Sequence, residues 1–250
     1  MKIASRCLPV GALPYDNVKH TTAMMAKLFQ KAPFVALLPN LSKSETVKHR
    51  SFENIPGIIY KDNQLVLDVG GVKYKEAMSD LNRTFNHPNE ENLSKYCFSA
   101  EFLEKYFQMI KKFKSPNAFV NILGPFSFYY MLTQTADKQV LADKSYRKLY
   151  IDAVCVKALW IAEKVKQYCP DTKSVVILEE PVLGQFGMLK RENENITAEF
   201  ITSLLAKVVH KLKEHDILVG VQCLEKCDWN NWLSRVQRQR FPESKLDYDS

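Results

Sequence analysis

Two hydrophobic periods take turns along this chain: short β-rich apolar runs, and longer stretches in which apolar residues recur every three or four positions. Ala118 to Leu123 reads as a strand ending at Gly124-Pro125. Ser174 to Leu178 (Ser-Val-Val-Ile-Leu) is nearly all apolar, the pattern of a strand buried on both faces. Ile217 to Val221 reads the same way, Phe34 to Pro39 reads as a short buried strand, and Lys245 to Ser250 begins one more. The segment from Ala4 to Leu13 supplies the first. Between them lie helices. Asp16 is placed to cap one through Met24, Met25 and Leu28. Phe102, Tyr106, Met109 and Phe113 mark another from Ser99 to Lys114, before Pro116. From Lys144 to Tyr168, a stripe of Ile151, Val154, Ala158, Ile161, Val165 and Tyr168 is that of a helix lying on a sheet. Thr197 caps a helix that turns Ile201, Leu204, Val208 and Leu212 inward. Only Ile58 to Val69, with Lys61-Asp62-Asn63-Gln64 at its turn, reads as a β-hairpin.

Strands that alternate with helices imply parallel pairing with right-handed crossovers. No Gly-x-Gly-x-x-Gly turn follows any strand, so the pattern predicts an α/β fold of the TIM-type (β/α) barrel kind rather than a dinucleotide-binding sheet. About six βα-type strands are visible where a closed barrel needs eight, so the barrel is expected to be incomplete at the C-terminus. No linker or repeat divides residues 1–250, which predicts a single domain with a hairpin insertion near 57–70. An open barrel exposes two sheet edges, which predicts a longer natural chain or a homo-oligomer that covers them.

Composition narrows the class. With 46% hydrophobic and 25% charged residues among 250, the chain has ordinary globular composition. The longest apolar runs, such as Phe34 to Leu38, fall far short of the ~18–20 residues of a membrane span, so no membrane partner is expected. No signal-peptide pattern follows Lys2 and Arg6, and six scattered cysteines suit a cytoplasmic protein with reduced thiols. The net charge of +7 is mild and permits an anionic substrate; because it is spread along helices rather than packed into an arm, a small-molecule partner and no nucleic acid are expected. Lys111-Lys112-Phe113-Lys114 and Arg235 to Arg240 read as solvated helix faces.

In a parallel barrel, chemistry collects at the carboxyl ends of the strands. The strand at Ser174 ends in Glu179-Glu180-Pro181, and successive side chains point to opposite sides. One carboxylate is therefore placed to hold a substrate amine or a proton while the other braces the loop; a solvated acidic strand end is the bland alternative. Cys223 and Cys227 follow the strand at Ile217. They are placed either to hold zinc or supply a thiolate, or to serve as a core residue and a loop residue. Asp228 before Trp229 reads as a helix N-cap. The N–H groups of Gly124-Pro125-Phe126-Ser127 open a helix, where they either receive an anion or only make the turn.

Several of these segments together resemble the barrel superfamily shared by cobalamin-independent methionine synthase and uroporphyrinogen decarboxylase, in its methionine-synthase-like branch. The resemblance runs in collinear order over nearly the whole chain. It is carried by Gly11-Ala12-Leu13-Pro14-Tyr15-Asp16, by Pro33 to Glu45 around Leu38-Pro39-Asn40-Leu41, and by Pro56-Gly57. Gly124-Pro125-Phe126-Ser127, Leu178-Glu179-Glu180-Pro181-Val182-Leu183-Gly184, Gly220-Val221-Gln222-Cys223 with Asp228-Trp229, and Leu246-Asp247-Tyr248-Asp249 complete it. The decarboxylase's arginine-rich N-terminal signature is not seen.

The resemblance implies a (β/α)8 barrel that transfers a methyl group to a thiol such as homocysteine, held on zinc as its thiolate. The donor would be methylfolate or a corrinoid. It also implies catalytic carboxylates at Glu179 and Glu180, with Glu179 where the family's aspartate touches the substrate amine. Substrate contacts would come from Gly124, Ser127, Asp228 and Trp229, and metal ligands from Cys223, Cys227 and Asp249. The zinc set is degenerate. Gln222 and Leu224 occupy the family's His and Cys positions, Cys223 lies between them, and the family's last Cys would lie beyond Ser250. The alternative expectation is a non-catalytic barrel that binds a small molecule or a partner protein.

Overall fold

The fold was obtained as a computed structural model, which describes residues 13–15, 17–28, 38–40, 46–61, 64–67, 72–113, 116–133, 144–225, 227, 229 and 232. Helices α1 (Val18–Leu28) and α2 (Val47–Phe52) precede the hairpin β1 (Ile58–Lys61) and β2 (Gln64–Leu67). Helices α3 (Val72–Asn86), α4 (Glu90–Ser94) and α5 (Ala100–Phe113) lead to β3 (Asn117–Leu123) and α6 (Pro125–Thr133). Then come α7 (Lys144–Tyr168), β4 (Lys173–Glu179), a 3-10 turn at Pro181–Gln185, α8 (Phe186–Glu192), α9 (Ala198–Lys213) and β5 (Leu218–Gln222).

Three of the expected strands form one parallel sheet in the order β3-β4-β5, with α7 and α9 as crossovers packed on it. This is an α/β fold. Sequential parallel order is the barrel grammar, but no closed barrel is present among the described residues. Most of Ala4 to Leu13, the start of Phe34 to Pro39 and all of Lys245 to Ser250 lie outside those residues. Within them, Leu38 is buried and Pro39-Asn40 forms a turn.

The strands are less buried than their composition suggests. On β3 and β4 the even positions Ala118, Val120, Ile122, Val176 and Leu178 are buried; on the other face Asn121, Leu123 and Val175 are buried as well, whereas Phe119, Ile177 and Glu179 are half-exposed. Every residue of β5 is half-buried. The expectation of burial on both faces is therefore met in part by β4, where Val175 and Val176 are both buried, and corrected for β5. Composition alone does not distinguish a fully from a partly covered second face.

Helix α7 corrects the expected stripe in the opposite sense. Leu149 through Ile161 is buried without interruption, so the helix is enclosed on all sides, while Tyr168 at its end is 51% exposed. The enclosed stretch includes Asp152 and Lys157. The Lys157 ammonium donates to the Cys97 carbonyl at 3.2 Å and lies 4.9 Å from the centroid of the Phe98 ring. Burial pulls this lysine down to about 7, partly offset by the nearby Glu53. A lysine whose folded pKa lies below its unfolded one loses folding stability as pH drops through that window. We expect Lys157→Met to raise the melting temperature, more at pH 6.5 than at pH 9.5, in scanning calorimetry. The Cys97 carbonyl keeps its bond from Asn54 Nδ2 at 3.0 Å.

Caps follow local chemistry. Thr197 Oγ1 accepts from the Phe200 N–H at 3.0 Å, as expected. At α1 the cap is Asn17, whose Oδ1 accepts from the His20 N–H at 3.0 Å; the expected cap, Asp16, lies outside the described residues.

The outer edge of β3 is sealed at its carboxyl end by a helix. Gly124 N–H bonds the Glu179 carbonyl on the β4 side, so the odd positions of β3 turn their polar groups outward. There Arg50 Nη2 donates to the Asn121 carbonyl at 2.6 Å, and Ser51 Oγ accepts from the Leu123 N–H at 2.8 Å. One acceptor and one donor from α2 thus stand in for the rung of a neighbouring strand.

Candidate functional site

At the carboxyl ends of the strands, the chain brings Gly124, Ser127, Glu179, Glu180, Gln222 and Cys223 to one rim. The register pairs Leu123 with Glu179 and Glu179 with Gln222, and Glu180 N–H bonds the Gln222 carbonyl at 2.7 Å.

The two carboxylates separate as the pleat requires. Glu180 is 0% exposed. Its Oε1 accepts from the Phe126 N–H at 3.0 Å and its Oε2 from the Ser127 N–H at 2.7 Å. These are unpaired donors of the first turn of α6, opened by Pro125, and the positive end of the helix dipole faces the carboxylate. Ser127 Oγ accepts from the Val182 N–H at 3.2 Å, tying the following 3-10 turn to the same knot. Burial pushes Glu180 up to about 7, against the pull of these hydrogen bonds. The helix N-terminus, read either as an anion receptor or as a plain turn, is thus occupied by a carboxyl group from within the chain. Gly124 permits it: a Cβ there would lie 2.7 Å from Glu180 Cγ. Gly124, Ser127 and Glu180 are all buried in this knot, so the contacts they make serve the fold.

Glu179 points to the other face. It is half-buried and accepts from Asn121 Nδ2 at 2.6 Å. Burial raises its pKa, opposed by the Asn121 hydrogen bond and by the Arg50 cation. Arg50 was not singled out in the sequence. Its side chain is 2% exposed, and its guanidinium carbon lies 4.2 Å from the Phe102 ring centroid and 5.6 Å from that of Phe98. Asn121 is the hub, with its carbonyl on Arg50 and its amide on Glu179. In the sequence this asparagine interrupts an otherwise apolar strand, and that interruption is the signal that marks it.

Cys223 directly follows β5, and Cys227 and Trp229 lie beyond it; all three are half-buried against the core. Leu224 is 72% exposed. Asp228 and Asp249 fall outside the described residues. Among those residues no cluster of three or more His, Cys, Asp or Glu side chains is arranged to hold a metal ion. Zinc takes four ligands, or three and a substrate; of the expected ligands Cys223 and Cys227 are described and Asp249 is not, and no cluster of described His, Asp or Glu joins the two thiols. Those residues do not make up a zinc site.

A cleft of about 730 Å³ lies at the opposite, amino ends of β4 and β5, lined by Pro88, Asn89, Leu93, Lys173, His215 and Asp216 among others. It is far from the strand-end carboxylates, and we assign it no part in their chemistry. Among the described residues no helix is long and apolar enough to cross a membrane. No family model, curated protein or solved structure matches the chain, so the reading of the rim rests on its own residues.

Proposed function

We propose that the chain is a small-molecule-binding α/β protein on the methionine-synthase-like barrel plan, binding without zinc-dependent methyl transfer. Its ligand carries an amine or another cationic group, which Glu179 takes at the strand ends. The observation that carries this reading is the division of labour in Glu179-Glu180. Glu180 is committed to the first turn of α6, whereas Glu179 is half-exposed, oriented by Asn121 and beside Gln222. A partly desolvated carboxylate held by one neutral donor keeps an oxygen for an ammonium group, and a charge-assisted bond there is stronger than one in water. Gln222 adds an amide that both donates and accepts.

A second reading is methyl transfer to a thiol with methylfolate or a corrinoid as donor. It is favoured by one feature: Cys223 leaves β5 at the same rim as Glu179.

Calorimetric titration with L-homocysteine and L-methionine, together with metal analysis of the purified protein, separates the two. The binding reading predicts measurable affinity, lowered at least tenfold in Glu179→Gln, with no stoichiometric zinc and no methylated thiol. Affinity indifferent to Glu179→Gln would overturn it. Zinc at one equivalent, lost in Cys223→Ser, with methyl transfer from methylcobalamin or methyltetrahydrofolate, would establish the second reading instead.

A further inference from the structure

Asp152 sits in the enclosed part of α7, 1% exposed, where α3 and α9 pack against that helix. Its Oδ2 accepts from Asn82 Nδ2 of α3 at 3.1 Å and lies 3.8 Å from the Lys148 ammonium one turn away. Its Oδ1 has no hydrogen-bond partner among the described residues. From α9 the Lys211 ammonium also acts on it, with Lys207 acting on Lys148 and Glu214 paired to Lys211 at 3.3 Å. Lys148 and Lys211 flank the Phe85 ring of α3, at 5.4 and 5.1 Å from its centroid. On α7 itself the Cys155 thiol is within electrostatic reach. Helix α6 and strand β3, packed on the same helix, carry no charged residue, and β4, packed there too, carries only Lys173 and Glu179 at its two ends. The α4 carboxylate Glu90 is engaged by Lys164 at 3.0 Å, twelve positions further along α7.

We propose that Asp152 is a proton-operated latch that docks α3 on α7: the helix is held while the carboxyl is protonated and loosens when the proton leaves. The physical cause is the lone oxygen. A neutral carboxyl tolerates an apolar enclosure, but a carboxylate with one oxygen unsatisfied is stabilised by any opening that admits water. Asn82 is its hydrogen-bond partner on α3, so the opening that wets Asp152 separates α3 from α7. Burial raises the acid to about 7, which puts the transition in the neutral range. The group is raised in the closed state, so its stabilisation is complete below the open-state pKa and is lost as pH climbs to about 7. Helix α3 follows the hairpin, and β2 of that hairpin lies against α6, whose first turn Glu180 holds. The latch therefore sets how firmly one wall near the rim is seated.

Hydrogen exchange by mass spectrometry on the full chain tests this, corrected for the intrinsic pH dependence of exchange. Opening of residues 72–86 is expected to rise about tenfold between pH 6 and pH 8.5, with β4 unchanged, and to lose that rise in Asp152→Asn. Equal pH dependence in wild type and Asp152→Asn, or none in wild type, would overturn the proposal. Should Asp152→Asn fail to fold, Asn82→Ala is read instead. Faster exchange confined to α3 supports the latch, and unchanged exchange in α3 overturns it.

Discussion

Replacing Glu180 by alanine is expected to cost about 3–5 kcal/mol of unfolding free energy, measured by equilibrium denaturation in urea. The size of the loss follows from what the carboxylate leaves behind. Its removal strands the Phe126 and Ser127 N–H groups inside the protein, and each stranded buried donor costs about 1–3 kcal/mol. A void the size of the side chain adds to this. Because burial raises Glu180 to about 7 against an ordinary 4.5, its contribution is largest in acid and falls as pH rises through that window. The gap between wild type and variant should therefore narrow between pH 5 and pH 8. Gly124→Ala is expected to reproduce part of the loss, because its Cβ and the Glu180 side chain claim the same space. A Glu180→Ala variant as stable as wild type would mean that α6 is capped by something else.

Arg50→Ala is the second large effect, again about 3–5 kcal/mol. The guanidinium is buried, stacks on Phe102 and supplies the donor that the edge of β3 needs at Asn121. Arg50→Lys is expected to recover less than half, since an ammonium keeps the charge but neither the planar stack nor the reach. A second readout distinguishes this role from mere packing. Loss of the cation removes an attraction that lowers the Glu179 pKa, so a carbon-13 titration of Glu179 should move upward in Arg50→Ala. A Glu179 midpoint that does not move would separate the arginine from the site.

The sheet was legible in the sequence because its strands and crossovers announce themselves by local period. β3, β4 and β5 fall within a residue of the segments read from Ala118, Ser174 and Ile217, and Thr197 caps its helix as its side chain dictates. Glu179-Glu180 could be read as one brace and one free acid, since the pleat forces neighbours apart. Which was which depended on where α6 begins relative to β4, a tertiary fact. Arg50 and Ser51 sit on a six-residue helix whose task is set by a strand some seventy positions later, and no local pattern reports that. Asp152 and Lys157 were hidden for another reason. The apolar stripe of α7 is real, but the helix is covered on its remaining sides too, so its polar positions are enclosed rather than solvated. Gly124-Pro125-Phe126-Ser127 could be read as an anion receptor or as a plain turn, and only the tertiary fold shows that its free N–H groups are taken by a carboxyl of the chain itself.

One assignment is central: β4 ends in an inward acid that builds the fold, and its outward neighbour is the acid that we propose binds the ligand. Urea unfolding of Glu179→Gln beside Glu180→Gln at pH 6 measures it directly. Glu179→Gln should lie within about 0.5 kcal/mol of wild type, since a glutamine still accepts from Asn121 and burial already disfavours the charge that it removes. Glu180→Gln should lose about 2 kcal/mol, because an amide offers one acceptor where two N–H donors converge. Equal losses, or a larger loss at Glu179, would contradict the assignment and with it the binding site.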